Sequence, residues 1–544
     1  MAEDGSRVWA DQTKVGLVLT NPNRTDTKHR LSGSVINIIL RKDAQCLWER
    51  CCFATSCRSG MFCTCMCGFL CFKFSNETLS GEEFSKETLS GEAETREDRI
   101  SQLPDDVISL IISRLTTRGA IRTSVLSRRW RHIFTFMNKV KFCCADVYDG
   151  SICNPGSGWS QLQRKFVERV DTFLQHHSGS KIMSFELVCC FRGCILDKFR
   201  EWMNFVGTSG VEQLTLGFCC FNNLHLSRFP VFSTDFLPEP SSLKHLWLRG
   251  GSFLTPKKNA LRVIELDRIA FTSEAVQCML SNCSSLQLLN LRFCALPTKL
   301  LIHGPHLKLK SLMICHCENV KEIDLSATNL INLEIYNLTI LKLSFSCVPL
   351  LQTLVIEFYG SKVAHYVFGK IAEDVPHLES MTFTTRASFF EGCKLDQVIS
   401  KLSNLRHLVL ILEYYNKLDL LELAVFLDSC PLLRKFQLSM VEMSTFNLKR
   451  SRERMVRRDT QLKEVELNGF SGTKCEYNFI LYILKNVVSL ERLVLSPGTV
   501  SYNICHRRWM AQITDPRNAE RRRQIIRERL QGQSISKNVE IITL

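Results

Sequence analysis

The fold turns on 284-SSLQLLNLRFC-294, where leucines occupy 286, 289 and 291 and a cysteine follows three residues after the last. The phrase is apolar at its first, fourth and sixth places, and it recurs along the chain. It starts at 182 (IMSFEL), 211 (VEQLTL), 243 (LKHLWL), 261 (LRVIEL) and 309 (LKSLMI). It continues at 330 (LINLEI), 351 (LQTLVI), 378 (LESMTF), 405 (LRHLVL), 433 (LRKFQL), 462 (LKEVEL) and 490 (LERLVL). Successive starts lie mostly about 21 to 29 residues apart, which is the signature of a stacked array of similar units.

That period is the period of a leucine-rich repeat, in which the phrase is a short parallel strand on a concave face and a turn position follows it, commonly Asn or Cys. Cys219, Cys294 and Cys317 each stand at that position and are expected to be buried, satisfying backbone groups of neighbouring turns. This reading gives the tempting 315-CHC-317 a structural role and removes it as a metal site. Cys283 and Cys430 precede the next strand and close the other half of the repeat. That half is visible in SEAVQCMLSNCSSL (273–286) and ELAVFLDSCPLL (422–433), where a short amphipathic helix runs into the following strand. The variable slots of the strand phrases include Thr215, Trp247, Asn290, Glu334 and Val409, the expected recognition surface of such an array. A second phrase, LTILKL at 338, begins only eight residues after LINLEI, so only one of the two is expected to be a true strand unless the repeat is unusually short.

Upstream, LPDDVISLIISRL (103–115) puts Ile108, Ile111, Ile112 and Leu115 on one stripe of a helix. Pro104 suits the first helical position, and Asp105 and Asp106 complement the positive helix N-terminus. After the TTRG break, Ile121 and Val125, then Leu126, Trp130, Ile133 and Phe134, continue a helical pattern. So small a unit is expected to bury part of its apolar surface against a partner.

Segment 98–134 resembles the F-box of plant proteins. The resemblance rests on the Leu103-Pro104-Asp105 opening, Ile108, the Ile112-Ser113-Arg114-Leu115 centre, Thr123-Ser124-Val125-Leu126 and Ser127-Arg128-Arg129-Trp130. Residues 462–497 resemble the FBD module that follows leucine-rich repeats in many such proteins. The resemblance implies a subunit that docks onto a Skp-type adaptor, and through it a cullin-RING ubiquitin ligase, while the repeats bind an unknown protein substrate. The implied adaptor-binding set is Leu103, Pro104, Ile108, Ile111, Leu115, Val125, Leu126 and Trp130; the alternative is that part of it simply holds the small helical unit together. Gly119 departs from the family pattern and weakens the local helix by roughly 0.5 to 1 kcal/mol.

The expected architecture is α/β: a small helical F-box at 98–140, then leucine-rich repeats at 180–460 with a parallel β-sheet on the concave face and helices on the convex face. An FBD-like module at 461–500 and a basic tail at 501–544 complete it. Residues 1–97 hold eight cysteines between Cys46 and Cys71 and the near-duplicate decamers FSNETLSGEE and FSKETLSGEA, and read as a disordered extension. The cysteine cluster has no histidine and no paired knuckles, so neither a metal nor a cofactor is expected.

A 45% hydrophobic and 23% charged chain of 544 residues is an ordinary folded composition. The net charge of +15 gathers partly in RNAERRRQIIRER (517–529), which reads as a solvated basic helix. No zinc-finger, homeodomain or aromatic RNA-binding signature accompanies it, so no specific nucleic acid is expected; a basic nucleic-acid-associated repeat protein is the weaker alternative. The longest apolar run, 61–72, is too short to span a membrane. Twenty-six cysteines in a long chain without a secretory leader point to reduced thiols, in the cytoplasm or the nucleus. G-x-S-x-G, H-E-x-x-H and phosphate-binding G-x-x-x-x-G-K-[ST] motifs are lacking, which argues against an enzyme. The remaining alternative is an F-box interaction protein without a role in degradation.

Overall fold

The computed structural model describes residues 102–144, 159–218, 231–233, 242–357, 369–386, 402–441 and 461–511, apart from short breaks within them, together with parts of 520–528 and 539–543. All of these lie within the unit Gly68–Leu544. The cysteine cluster, the decamers, Cys219, Val125 and Leu126 lie outside the described residues.

The first helix is Asp105–Arg114, with Pro104 just outside it at φ −58° as the N-cap, one place earlier than the sequence suggests. Asp105 and Asp106 occupy its first turn and Arg114 its last, each with the sign the helix dipole favours. Thr117–Thr123 forms the second helix in spite of Gly119. Ile108, Ile112, Ala120, Trp130 and Met137 make a small core of their own, with Leu103, Ile111 and Leu115 packed half-buried against it. Arg129 ties the end of this unit back to its beginning by donating from Nε to Asp105 Oδ1 at 2.6 Å.

From Lys139 onward the chain builds a 15-stranded sheet in which every neighbouring pair is parallel. All the strand phrases from 182 to 490 are found in it. The sheet also extends beyond them at both ends. Lys139–Cys143 precedes them, because MNKVKF (137–142) places buried Met137, Val140 and Phe142 at the three apolar positions of the phrase. Glu540–Thr543 follows them, pairing with Arg492–Ser496. Inside the sheet, apolar side chains from Val140 to Leu495 form one continuous core. Each fully buried Leu or Ile there contributes about 1.5 to 3 kcal/mol relative to exposure.

Helices cover the core face where the repeats are long, as with Cys194–Thr208, Ser273–Asn282 and Lys474–Asn486. Thr272 caps the second of these, its side chain accepting from the Ala275 N–H at 3.2 Å. Between Lys299 and Cys347 the expectation of helices fails. The outer layer there is a three-stranded parallel sheet of Lys299–His303, Glu322–Ser326 and Lys342–Cys347. The strand phrases at 309, 330 and 351 start 21 residues apart, leaving too little chain for a helix after two turns, so an extended segment covers the core instead. LINLEI and LTILKL are therefore both strands, one in each sheet.

At Cys294 and Cys317 the ladder expected of the turn cysteines is present. Cys294 Sγ donates to Leu266 O at 3.5 Å, and Cys317 Sγ donates to Leu291 O at 3.4 Å, each one strand back. Burial pushes the Cys294 thiol well above its ordinary pKa.

Candidate functional site

The strands alternate, so a residue between two core positions lies on the sheet face turned away from the core. The register aligns these residues across the sheet in a single row: Thr215, Trp247, Glu265, Asn290, Met313, Glu334, Val355, Thr382 and Val409 stand opposite one another in succession. The five substrate-binding positions named from the sequence thus belong to one surface row. Thr215, Trp247, Glu334 and Val409 are half-buried on it.

Asn290 alone of the five is fully buried. It has 0% exposure, because its amide turns into the sheet surface and donates to Glu265 Oε2 at 3.0 Å. It organises the face by fixing the Glu265 carboxylate. Farther along the same face, Met313, Cys315 and Tyr336 form a small buried apolar cluster with Val355 packed on it, and Tyr336 donates its hydroxyl to Glu334 Oε2 at 3.1 Å.

A second row, two residues farther along each strand, is not apparent from any phrase taken singly. Arg249, Asp267 and Arg292 are successive members of it, on adjacent strands. Asp267 Oδ2 lies 3.7 Å from Arg249 Nε, and Asp267 Oδ1 lies 3.5 Å from Arg268 Nε. Arg268, Phe293 and His316 are the residues immediately after three strands, and all have left-handed backbone, at φ 59°, 50° and 47°. At the equivalent place one strand earlier the residue is Gly250 at φ 77°, for which that conformation costs little. The turns are fixed by N–H donation into the next strand, Arg268 to Arg292 O and Phe293 to Cys315 O, both at 2.8 Å. The side chains stack as a column, with the Arg268 guanidinium 5.1 Å from the Phe293 ring centre and the Phe293 and His316 rings 5.4 Å apart. Burial lowers the His316 pKa, which favours the neutral ring. The signal available in the sequence was the residue after the last apolar place in LKHLWLR, LRVIELD and LQLLNLR, an Arg-Asp-Arg series that emerges only when the phrases are aligned.

On the N-terminal unit, Pro104 is exposed and Leu103, Ile111 and Leu115 are half-buried. Ile108 at 0% and Trp130 at 2% exposure belong to the unit's own core, the alternative held open for part of this set. Leu110, off the stripe of apolar residues that marks this helix, is 50% exposed. Its signal was an apolar residue off the buried stripe.

Among the described residues, no group of three or more His, Cys, Asp or Glu side chains is placed to hold a metal, and no helix is long and apolar enough to cross a membrane.

Residues 173–539 match the family model of the At1g61320/AtMIF1 leucine-rich repeat domain, and residues 100–142 match that of the F-box domain. Curated relatives are found in Arabidopsis thaliana. F-box/LRR-repeat protein At3g03360 is 31% identical over 212 residues, covering 36% of this chain and 39% of that protein. F-box/FBD/LRR-repeat protein At1g13570 is 27% identical over 205 residues, 36% of this chain and 44% of that protein. F-box/LRR-repeat protein 25 is 31% identical over 202 residues, 36% of this chain and 68% of that protein. The chain thus spans less than half the length of the first two.

Proposed function

Because this chain belongs to the family of F-box proteins with an At1g61320/AtMIF1-type leucine-rich repeat domain, we propose that it is the substrate-recognition subunit of an SCF-type ubiquitin ligase. In this reading the helical unit at 98–140 docks onto a Skp-type adaptor, which joins it to a cullin-RING ligase. The non-core face of the long sheet binds the protein to be modified. The chain itself performs no chemistry, and ubiquitin transfer belongs to the associated subunits. Residues 461–500 act as an FBD-like continuation of the repeats, and the complex works in the cytoplasm or the nucleus.

The observation that carries this reading is the join between the two parts. Met137 belongs to the small helical core, and two residues later Lys139 begins the sheet, so a docking unit leads directly into a recognition surface. Exposed Pro104 and Leu110, with half-buried Leu103, Ile111 and Leu115, give that unit an apolar surface which its own core covers only in part.

The test is co-purification of a Skp-type adaptor with wild type and with a Leu103→Ala, Pro104→Ala double variant. Adaptor is expected with wild type and not with the variant, while the circular dichroism of the repeats is unchanged. Equal recovery from both proteins would sink the docking assignment.

A further inference from the structure

We propose that Arg249, Arg268 and Arg292 form a binding site for a phosphate monoester, carried on the substrate protein or on a small molecule held beside it. The proposal rests on the recognition role argued above for this sheet face and names what one part of that face selects.

Three strands contribute. Arg249 and Arg292 flank Asp267 on either side in the register, which sets their backbones about 10 Å apart. Arg268 reaches the same carboxylate from the adjoining turn. Arg249 and Arg268 thus share one acidic partner with Arg292 on the next strand, so the three guanidinium groups exceed Asp267 by two positive charges. Neither ion pair to Asp267 is short enough for a hydrogen bond from Nε, at 3.7 Å and 3.5 Å. The Nε atoms of all three arginines are buried without an acceptor. Among the described residues, no carboxylate pairs with Arg292. Buried donors on charged groups are ordinarily satisfied, so this set is incomplete as it stands.

Glu265, two residues before Asp267 on the same face, accepts from Asn290 and meets His245. The side chains are not sealed off, for Arg249 keeps 24% exposure and Arg268 keeps 15%. Left-handed backbone at Arg268, Phe293 and His316 holds the column of stacked side chains in place at the site's edge, and 37%-exposed Phe293 offers an apolar wall beside the charge.

The ligand class follows from the charge. A carboxylate would neutralise half of the excess, whereas a phosphate monoester brings about −1.5 to −2 and three acceptor oxygens that match the fork geometry of guanidinium groups. The turn architecture favours the same conclusion, since a lone surface arginine needs no such scaffold.

The experiment uses the full chain, wild type and Arg292→Gln, with Arg249→Gln as a second variant. Each is passed over an immobilised degenerate peptide library carrying a fixed phosphoserine, and over its unphosphorylated counterpart. In parallel, native mass spectrometry looks for a co-purifying phosphorylated small molecule. Wild type is expected to prefer the phosphorylated library by about tenfold, or to carry the small molecule, and both variants to lose that preference or that mass. The first result places the phosphate on a protein substrate and the second on a small ligand. Equal retention on both libraries with no co-purifying phosphate overturns the site, as does undiminished phosphate binding in Arg292→Gln. Thermal unfolding of each variant guards against loss of folding. Adaptor co-purification is read separately, so failure of the docking assignment leaves this result interpretable, and the reverse holds too.

Discussion

Glu265 is held from both sides on the sheet surface: Asn290 donates to its Oε2 at 3.0 Å from one neighbouring strand, and His245 Nε2 stands 3.2 Å from its Oε1 on the other. Removing the Asn290 amide leaves a half-buried carboxylate one donor short. Asn290→Ala is expected to lower stability by about 1 to 2 kcal/mol in urea unfolding. Asn290→Asp is expected to cost more at neutral pH, because it sets a second negative charge against Glu265. Neutral behaviour of both variants would remove Asn290 as an organising residue.

The contrast between Asn290 and Arg292 shows how far a repeat phrase can be read. Spacing of leucines determined which residues face the core and which face away, and the thirteen phrases were legible for that reason. The end strands were hidden because Met137, Val140 and Phe142 replace leucine in one, and Ile541 and Thr543 meet Leu493 and Leu495 in the other. Which face-outward residues remain available depends on cross-strand partners, and these follow from the register and not from the local sequence. Asn290 and Arg292 look alike as polar slots in LQLLNLR, yet one finds Glu265 and the other finds no acidic partner among the described residues. Likewise Ile108 and Ile111 share a helical stripe, but only the first reaches the centre of the small core.

The cysteines divide by burial. Burial pushes the Cys283 thiol up to about 11 and the Cys430 thiol up to about 12, whereas Cys278 and Cys347 are exposed. Less thiolate and less access both protect the first pair. Iodoacetamide at mildly alkaline pH, read by peptide mass spectrometry, is expected to label Cys278 and Cys347 in the folded chain, and Cys283 and Cys430 only after denaturant is added. Early labelling of Cys430 would contradict its place in the core.

Glu212 joins two further repeats by accepting from Lys181 at 2.5 Å and Lys244 at 2.9 Å. The hydrogen bond from Lys181, followed by that from Lys244, pulls its carboxyl down from 4.5 to about 2. Its folded pKa lies below its unfolded one, so the stabilisation is present above about 4.5 and is lost as pH falls towards about 2. Glu212→Gln is therefore expected to be less stable than wild type at neutral pH and indistinguishable from it in strong acid. Added salt should narrow the gap, since these lysines are exposed. A gap that persists unchanged in strong acid would show that the ion pairs are not its source.

Trp130 and Leu110 separate the core of the small helical unit from its proposed docking face. Trp130 is 2% exposed, packs with Ile108, Ile112, Ala120 and Met137, and leaves its indole Nε1 without an acceptor. Its ring therefore serves the fold, and its N–H adds nothing to it. Trp130→Phe, which deletes the unpaired donor and keeps most of the apolar volume, is expected to stay within about 1 kcal/mol of wild type and to retain the Skp-type adaptor. Trp130→Ala should cost about 3 to 5 kcal/mol and lose the adaptor through unfolding of the unit. Leu110, half exposed on the helix Asp105–Arg114, sits where a partner would meet it. Leu110→Glu keeps a good helix former and is expected to leave the helix intact while weakening adaptor binding about tenfold. The reverse pattern, with binding lost in a folded Trp130→Phe and kept in Leu110→Glu, would move the docking face onto the tryptophan.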